Sequence, residues 1–151
     1  MKKNNIIADF KWSLSADRFD STAIFRELSA FLNGSENVFI EGTRISKEAE
    51  AIYKYNFIDI DYLPRKGTIW PVSKIFCCKG SVRFFQSMEK LSENHAEPEL
   101  FDHFFIYNCH EPILEWWDAF FDPIILSSNI LESDVNIFAT KLNLSVNKQY
   151  I

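Results

Sequence analysis

Basic side chains are absent from a long stretch of this chain: none occurs in the 50 residues between Lys90 and Lys141. The same stretch holds 10 acids: Glu93, Glu97, Glu99, Asp102, Glu111, Glu115, Asp118, Asp122, Glu132 and Asp134. Residues 1–90 carry 14 basic and 11 acidic side chains, whereas residues 91–151 carry 2 and 10. Charge so one-sided repels nucleic acid and anionic membrane and attracts a basic protein surface. Glycine is scarce, 4 in 151 residues, which argues against collagen-like segments, flexible linkers and glycine-loop nucleotide sites. The 3 cysteines, two of them adjacent (Cys77 and Cys78), make no disulfide framework and point to reduced thiols in a cytoplasmic protein. No apolar run approaches the roughly 20 residues of a membrane helix. The opening MKKNNIIADFKWSLS lacks the apolar core and small-residue cleavage site of a signal peptide.

What is present is enough to fold. Hydrophobic residues make up 47% of the chain, with 15 Phe and 4 Trp. Nine aromatics lie inside the acidic stretch, which is therefore no disordered acidic tail. A chain of this length suits one domain spanning 1–151 and can bury about 70% of its unfolded surface.

Apolar periodicity alternates between two kinds of segment. Ile6, Ala8, Phe10, Trp12 and Leu14 recur at period two, a half-buried strand. Ile24, Phe25, Leu28, Phe31 and Leu32 form a helical face, which Asp20 or Ser21 can cap and Gly34 can end. Val38–Ile40 is a short strand, and Ser46 caps a helix to about Tyr55. Phe57–Tyr62 alternates apolar and acidic residues, so Asp59 and Asp61 share an exposed face. Ile75–Cys78 is a strand, and Ser81 opens a helix with Val82, Phe85, Met88 and Leu91 inward. His103–Tyr107 and Pro123–Leu126 read as strands, and Ser133 caps a last helix with Val135, Phe138, Ala139 and Leu142 on one face. Strands and helices taking turns imply an α/β single domain, a mixed β-sheet with helices packed on it.

The local pattern EPILEWWDAFFD is the most informative. Pro112 suits the first position of a helix reaching about Phe121. Glu111, Glu115, Asp118 and Asp122 would then form one carboxylate stripe, spaced 4, 3 and 4. Like charges at that spacing cost a helix about 0.2–0.5 kcal/mol each, and no lysine nearby offsets them. Such misfits concentrate at functional sites. Neighbours on a helix differ by about 100°, so Trp116 and Trp117 are hard to bury together. Helix phase favours Trp117 in the core and Trp116, beside the stripe, as an exposed anchor for a partner.

Catalytic signatures are weak. Asp59 with Asp61 resembles the acids of metal-dependent nucleases, but the acidic half offers no basic group for a phosphate. Cys77, Cys78, Cys109, His103 and His110 lack the spacing that closes a zinc chelate. The sequence therefore leads to no metal, no cofactor, no enzyme activity, no nucleic acid and no membrane partner. A protein partner is expected, and self-association stays open.

In size, charge and character, and chiefly in the acid-and-Trp segment from Glu111 to Asp122, the chain resembles the bacterial immunity proteins that guard against toxins of the contact-dependent and polymorphic classes. The resemblance implies tight binding to a toxin domain, often a basic nuclease, with its active site occluded. Glu111, Glu115, Trp116, Asp118, Asp122, Asp59 and Asp61 would then contact the partner. Two rival readings stand beside it: a small hydrolase or ligand-binding enzyme using Asp59, Asp61 or Glu115 in an acidic pocket, and an adaptor that homodimerises through its Trp face.

Overall fold

Seven strands join in one sheet in the computed structural model, which describes residues 9–60 and 73–151. In chain order the elements are β1 (Phe10–Ser15), α1 (Ser21–Phe31), β2 (Asn37–Gly42), α2 (Lys47–Tyr55), β3 (Lys74–Lys79), α3 (Val82–Ser92), β4 (His103–Asn108), β5 (Glu111–Trp116), β6 (Ile124–Leu126), α4 (Glu132–Lys141) and β7 (Ser145–Tyr150). A 3-10 turn, Glu97–Glu99, precedes β4. The strand order is β3-β2-β4-β5-β6-β1-β7, and every pairing is antiparallel. Ile6, Ala8, Asp61 and Tyr62 lie outside the described residues.

The α/β expectation holds, and its causes are local. Asp20 caps α1 by accepting from the Ala23 amide at 3.2 Å. Ser46 and Ser81 cap α2 and α3 by accepting from Ala49 and Phe84, each at 3.1 Å. Each such cap satisfies an amide that the first helical turn leaves unpaired. All four helices cover one face of the sheet. Ile24, Phe25 and Leu28 of α1, Tyr53 of α2, Phe84, Phe85 and Met88 of α3, and Val135 and Phe138 of α4 pack in one cluster. The sheet supplies that cluster with Trp12, Leu14, Val38, Ile40, Cys78, Phe104, Ile106, Leu114, Trp116, Ile124 and Leu126.

Several expectations are corrected. Helix α1 stops at Phe31, and Gly34, at φ +89°, belongs to the loop beyond it. In α3, Val82 is half exposed and Phe84 takes the buried place. Leu131, not Ser133, occupies the cap position of α4. The largest correction concerns residues 112–121, which are not helical. Residues 111–116 are strand β5, and a turn follows in which Asp118 and Phe120 have φ of +47° and +74°. Both values are incompatible with a right-handed helix. Phe120 is held there by packing: it stacks on Phe101 at 5.2 Å and lies 4.7 Å from Trp116.

Candidate functional site: the outer face of the sheet

Side chains alternate across a strand, so every residue beside a core position points to the outer face. Cross-strand register lines one such row up across all seven strands: Cys77, Phe39, Phe105, Glu115, Ile125, Ser13 and Asn147. The row changes character midway. Cys77, Phe39 and Phe105 are buried, with Ile58, Ile60, Tyr107 and Trp117 packed against them. The chain after α2 provides part of that cover, where Phe57 bridges to Cys78. From Glu115 onwards the row is open: Glu115, Ile125 and Ser13 are half-buried and Asn147 is exposed.

Two clefts lie on this open half, and Ile125 lines both. The first, of about 280 Å³, has Ile113, Ile125 and Leu126 among its lining residues, with Asp9, Glu111 and Glu115 bringing carboxylates to it. The second, of about 440 Å³, lies between Trp117, Asp122, Ile125, Ser13 and Gln149. Lys11 also lines the first cleft and Lys148 the second, so only the first has a surplus of carboxylates, and its apolar floor suits the aliphatic stem and charged head of a lysine or arginine.

Glu115 stands between the covered and open halves. Its Oε1 accepts from Lys11 Nζ at 3.1 Å and its Oε2 from Trp117 Nε1 at 3.2 Å. The Lys11 pair is partly exposed, 38% and 21% by side chain, so it contributes little stability, at most about 1 kcal/mol. Its effect is positional: the carboxylate and the indole are held together at the cleft edge. Trp117 also packs on Phe105 and His103, with ring centroids 4.6 and 5.5 Å away.

The turn after β5 is tied down from several sides. The Asp118 amide donates to His103 Nδ1 at 2.9 Å, and the Asp118 carbonyl accepts from Phe121 and Asp122 at 3.1 Å. The Ala119 amide donates to the Asp102 carbonyl at 2.7 Å. The Asp118 and Asp122 side chains are exposed. Glu111, also exposed, accepts from Asn129 Nδ2.

The structure thus places Glu111, Glu115 and Asp122 around the open half, with Asp118 on the adjoining turn, but not as a helical stripe. Trp116 is overturned as the exposed anchor. It is 1% exposed, donates from Nε1 to the Asp122 carbonyl at 2.8 Å, and faces the helices. The reason is periodicity: adjacent residues separate by about 100° on a helix but by 180° on a strand. Trp117 is the indole at the open face. Asp59 is exposed on the covered half, in the segment whose Ile58 amide donates to the Cys77 carbonyl of β3. Asp61 lies outside the described residues. Lys11, Ser13 and Ile125 escaped the site reading, although the period-two pattern of β1 already sets Lys11 and Ser13 opposite Trp12 and Leu14.

Cys77 and Cys78 are free and lie on opposite faces. Burial pushes the Cys77 thiol up to about 11. Burial, with the neighbouring Cys77 adding to it, pushes Cys78 up to about 12. Such thiols are poor nucleophiles. Among the described residues no cluster of three or more His, Cys, Asp or Glu is placed to hold a metal ion, and no helix is long and apolar enough to cross a membrane. Comparison with protein-family models, curated proteins and solved structures finds no match.

Proposed function

We propose that this chain is a cytoplasmic binding protein of the immunity type, which docks a basic protein, such as a bacterial toxin domain, on the open half of its outer sheet face and occludes it. The observation carrying this reading is the cleft-bearing half-face itself, where described residues leave Trp117 and Ile125 partly exposed among Asp9, Glu111, Glu115 and Asp122. Acids at a rim raise the association rate of a cationic partner, and a rigid aromatic inside the rim slows its departure. The hydrolase alternative rests on Asp59, Asp61 or Glu115: Asp59 is exposed on the covered half, Asp61 lies outside the described residues, and both oxygens of Glu115 already accept hydrogen bonds.

The test is capture of partners from the source cell's lysate by the wild-type chain and by Trp117→Ala, with identification by mass spectrometry. A basic protein retained by the wild type and lost with Trp117→Ala supports the reading. Equal retention by both, or retention of acidic proteins only, contradicts it.

A further inference from the structure

The two edges of the sheet are treated differently. Edge strand β3 is partly covered: the Ile58 amide donates to the Cys77 carbonyl at 3.1 Å, and the Lys79 amide to the Asn56 carbonyl at 3.0 Å. Among the described residues edge strand β7 has no such cover. Its register with β1 is unbroken over six residues, and just beyond it the Ile151 amide donates to the Asp9 carbonyl at 3.1 Å. Antiparallel pairing alternates, so Gln149, Asn147 and Ser145 also exchange bonds with β1. Val146, Lys148 and Tyr150 therefore direct their backbone N–H and C=O groups outward, and no described residue pairs with them.

Natural edges are usually protected by proline, a bulge or an outward lysine. Strand β7 has neither proline nor bulge. Its one lysine, Lys148, is folded back over the rings of Phe10 and Trp12, 4.8 and 5.3 Å from their centroids. Local charge is equally permissive. From Val135 to Ile151 the sequence contains no acid, although the whole chain carries −5. This edge is thus a place where two copies of an acidic molecule can approach with few opposed carboxylates.

We propose that β7 pairs with β7 of a second copy, antiparallel about a two-fold axis, so that two sheets become one continuous sheet. A two-fold operator brings the same edge to itself, and each outward N–H meets an outward C=O of the other copy. Only registers that set outward residues against outward residues satisfy both strands. Those with Lys148 opposite Tyr150 or Val146 also avoid lysine facing lysine. The two outer faces would then lie side by side.

The experiment combines sedimentation with amide hydrogen exchange on the full chain, from micromolar to millimolar concentration. The expected result is a mass rising from 17.7 kDa towards twice that value. The Val146, Lys148 and Tyr150 amides should slow by at least about tenfold over the same range, as newly formed bonds protect them. Lys148→Pro removes an outward N–H and should leave a monomer, because edge strands tolerate proline where the N–H faces solvent. Lys148→Thr keeps that N–H and should still dimerise. A constant monomer mass with the three amides unprotected throughout overturns the proposal, and so does a dimer that survives Lys148→Pro. Protection that appears only when a basic partner protein is added assigns the edge to the partner's strand instead, and also overturns it.

Discussion

Trp116 and Trp117 are chemically identical neighbours with opposite surroundings. Trp116 is packed among Phe19, Phe101 and Phe120, and its N–H is satisfied by the Asp122 carbonyl. Trp116→Ala should lower stability by about 3–5 kcal/mol, the range for large aromatic truncations in a core. Trp117→Ala should cost less than half as much in a denaturant melt. In a binding isotherm it should raise Kd by about 30-fold or more, equivalent to about 2 kcal/mol. The thiols give a second expectation at this scale. Native protein should expose one rapidly reacting thiol, Cys109, and denatured protein three, in a colorimetric titration without reductant. Folding raises Cys77 and Cys78 from about 9 to about 11 and about 12. The unfolded chain therefore releases these protons first as pH rises. Their contribution to stability is intact below about 9 and is lost progressively as pH climbs through 11 to 12. Denaturation between pH 8 and about 11 should show a steeper alkaline decline for wild type than for the variant with both residues changed to alanine.

At the scale of elements, packing between strands and loops sets the tolerances. A Cβ on Gly80 would stand 2.9 Å from the Glu36 carbonyl, which already accepts the Gly80 amide at 2.8 Å. Gly80→Ala should therefore cost about 1–3 kcal/mol in a urea titration, since backbone has little room to yield. Caps and amphipathic faces made three of the four helix starts and most strands legible from sequence, because both signals are local. Segment 111–122 reads as a helix in sequence because its apolar residues fit two periods at once. Ile113, Leu114, Trp117 and Phe121 satisfy a helix, while Leu114 and Trp116 satisfy a strand. The choice is made by Phe104 and Ile106 of β4, which pair with Trp116 and Leu114 across the hairpin. Pairing of that kind is invisible along the chain. Strand β7 escaped for another reason: SVNKQY is polar, as an edge strand can be, and has almost no apolar alternation to detect. The acids stand out in the sequence by the missing lysines, but their expected placement follows the wrong element.

For the whole molecule, the sheet divides labour between its faces. One face carries four helices and the main core, while half of the other keeps two clefts, an indole and the carboxylates of Glu111, Glu115 and Asp122. The central claim is that this half-face captures a basic protein by charge and holds it by Trp117. Association kinetics with the captured partner test it most directly, measured at several ionic strengths for wild type, Trp117→Ala and the charge-reversed Glu111→Lys/Asp122→Lys. Wild-type association should slow steeply with salt, as screening shortens to about 8 Å at physiological strength. The charge-reversed variant should associate at least about tenfold more slowly at low salt. Trp117→Ala should associate at nearly the wild-type rate and dissociate faster. Association indifferent to both salt and charge reversal, with dissociation unchanged by Trp117→Ala, would contradict the claim.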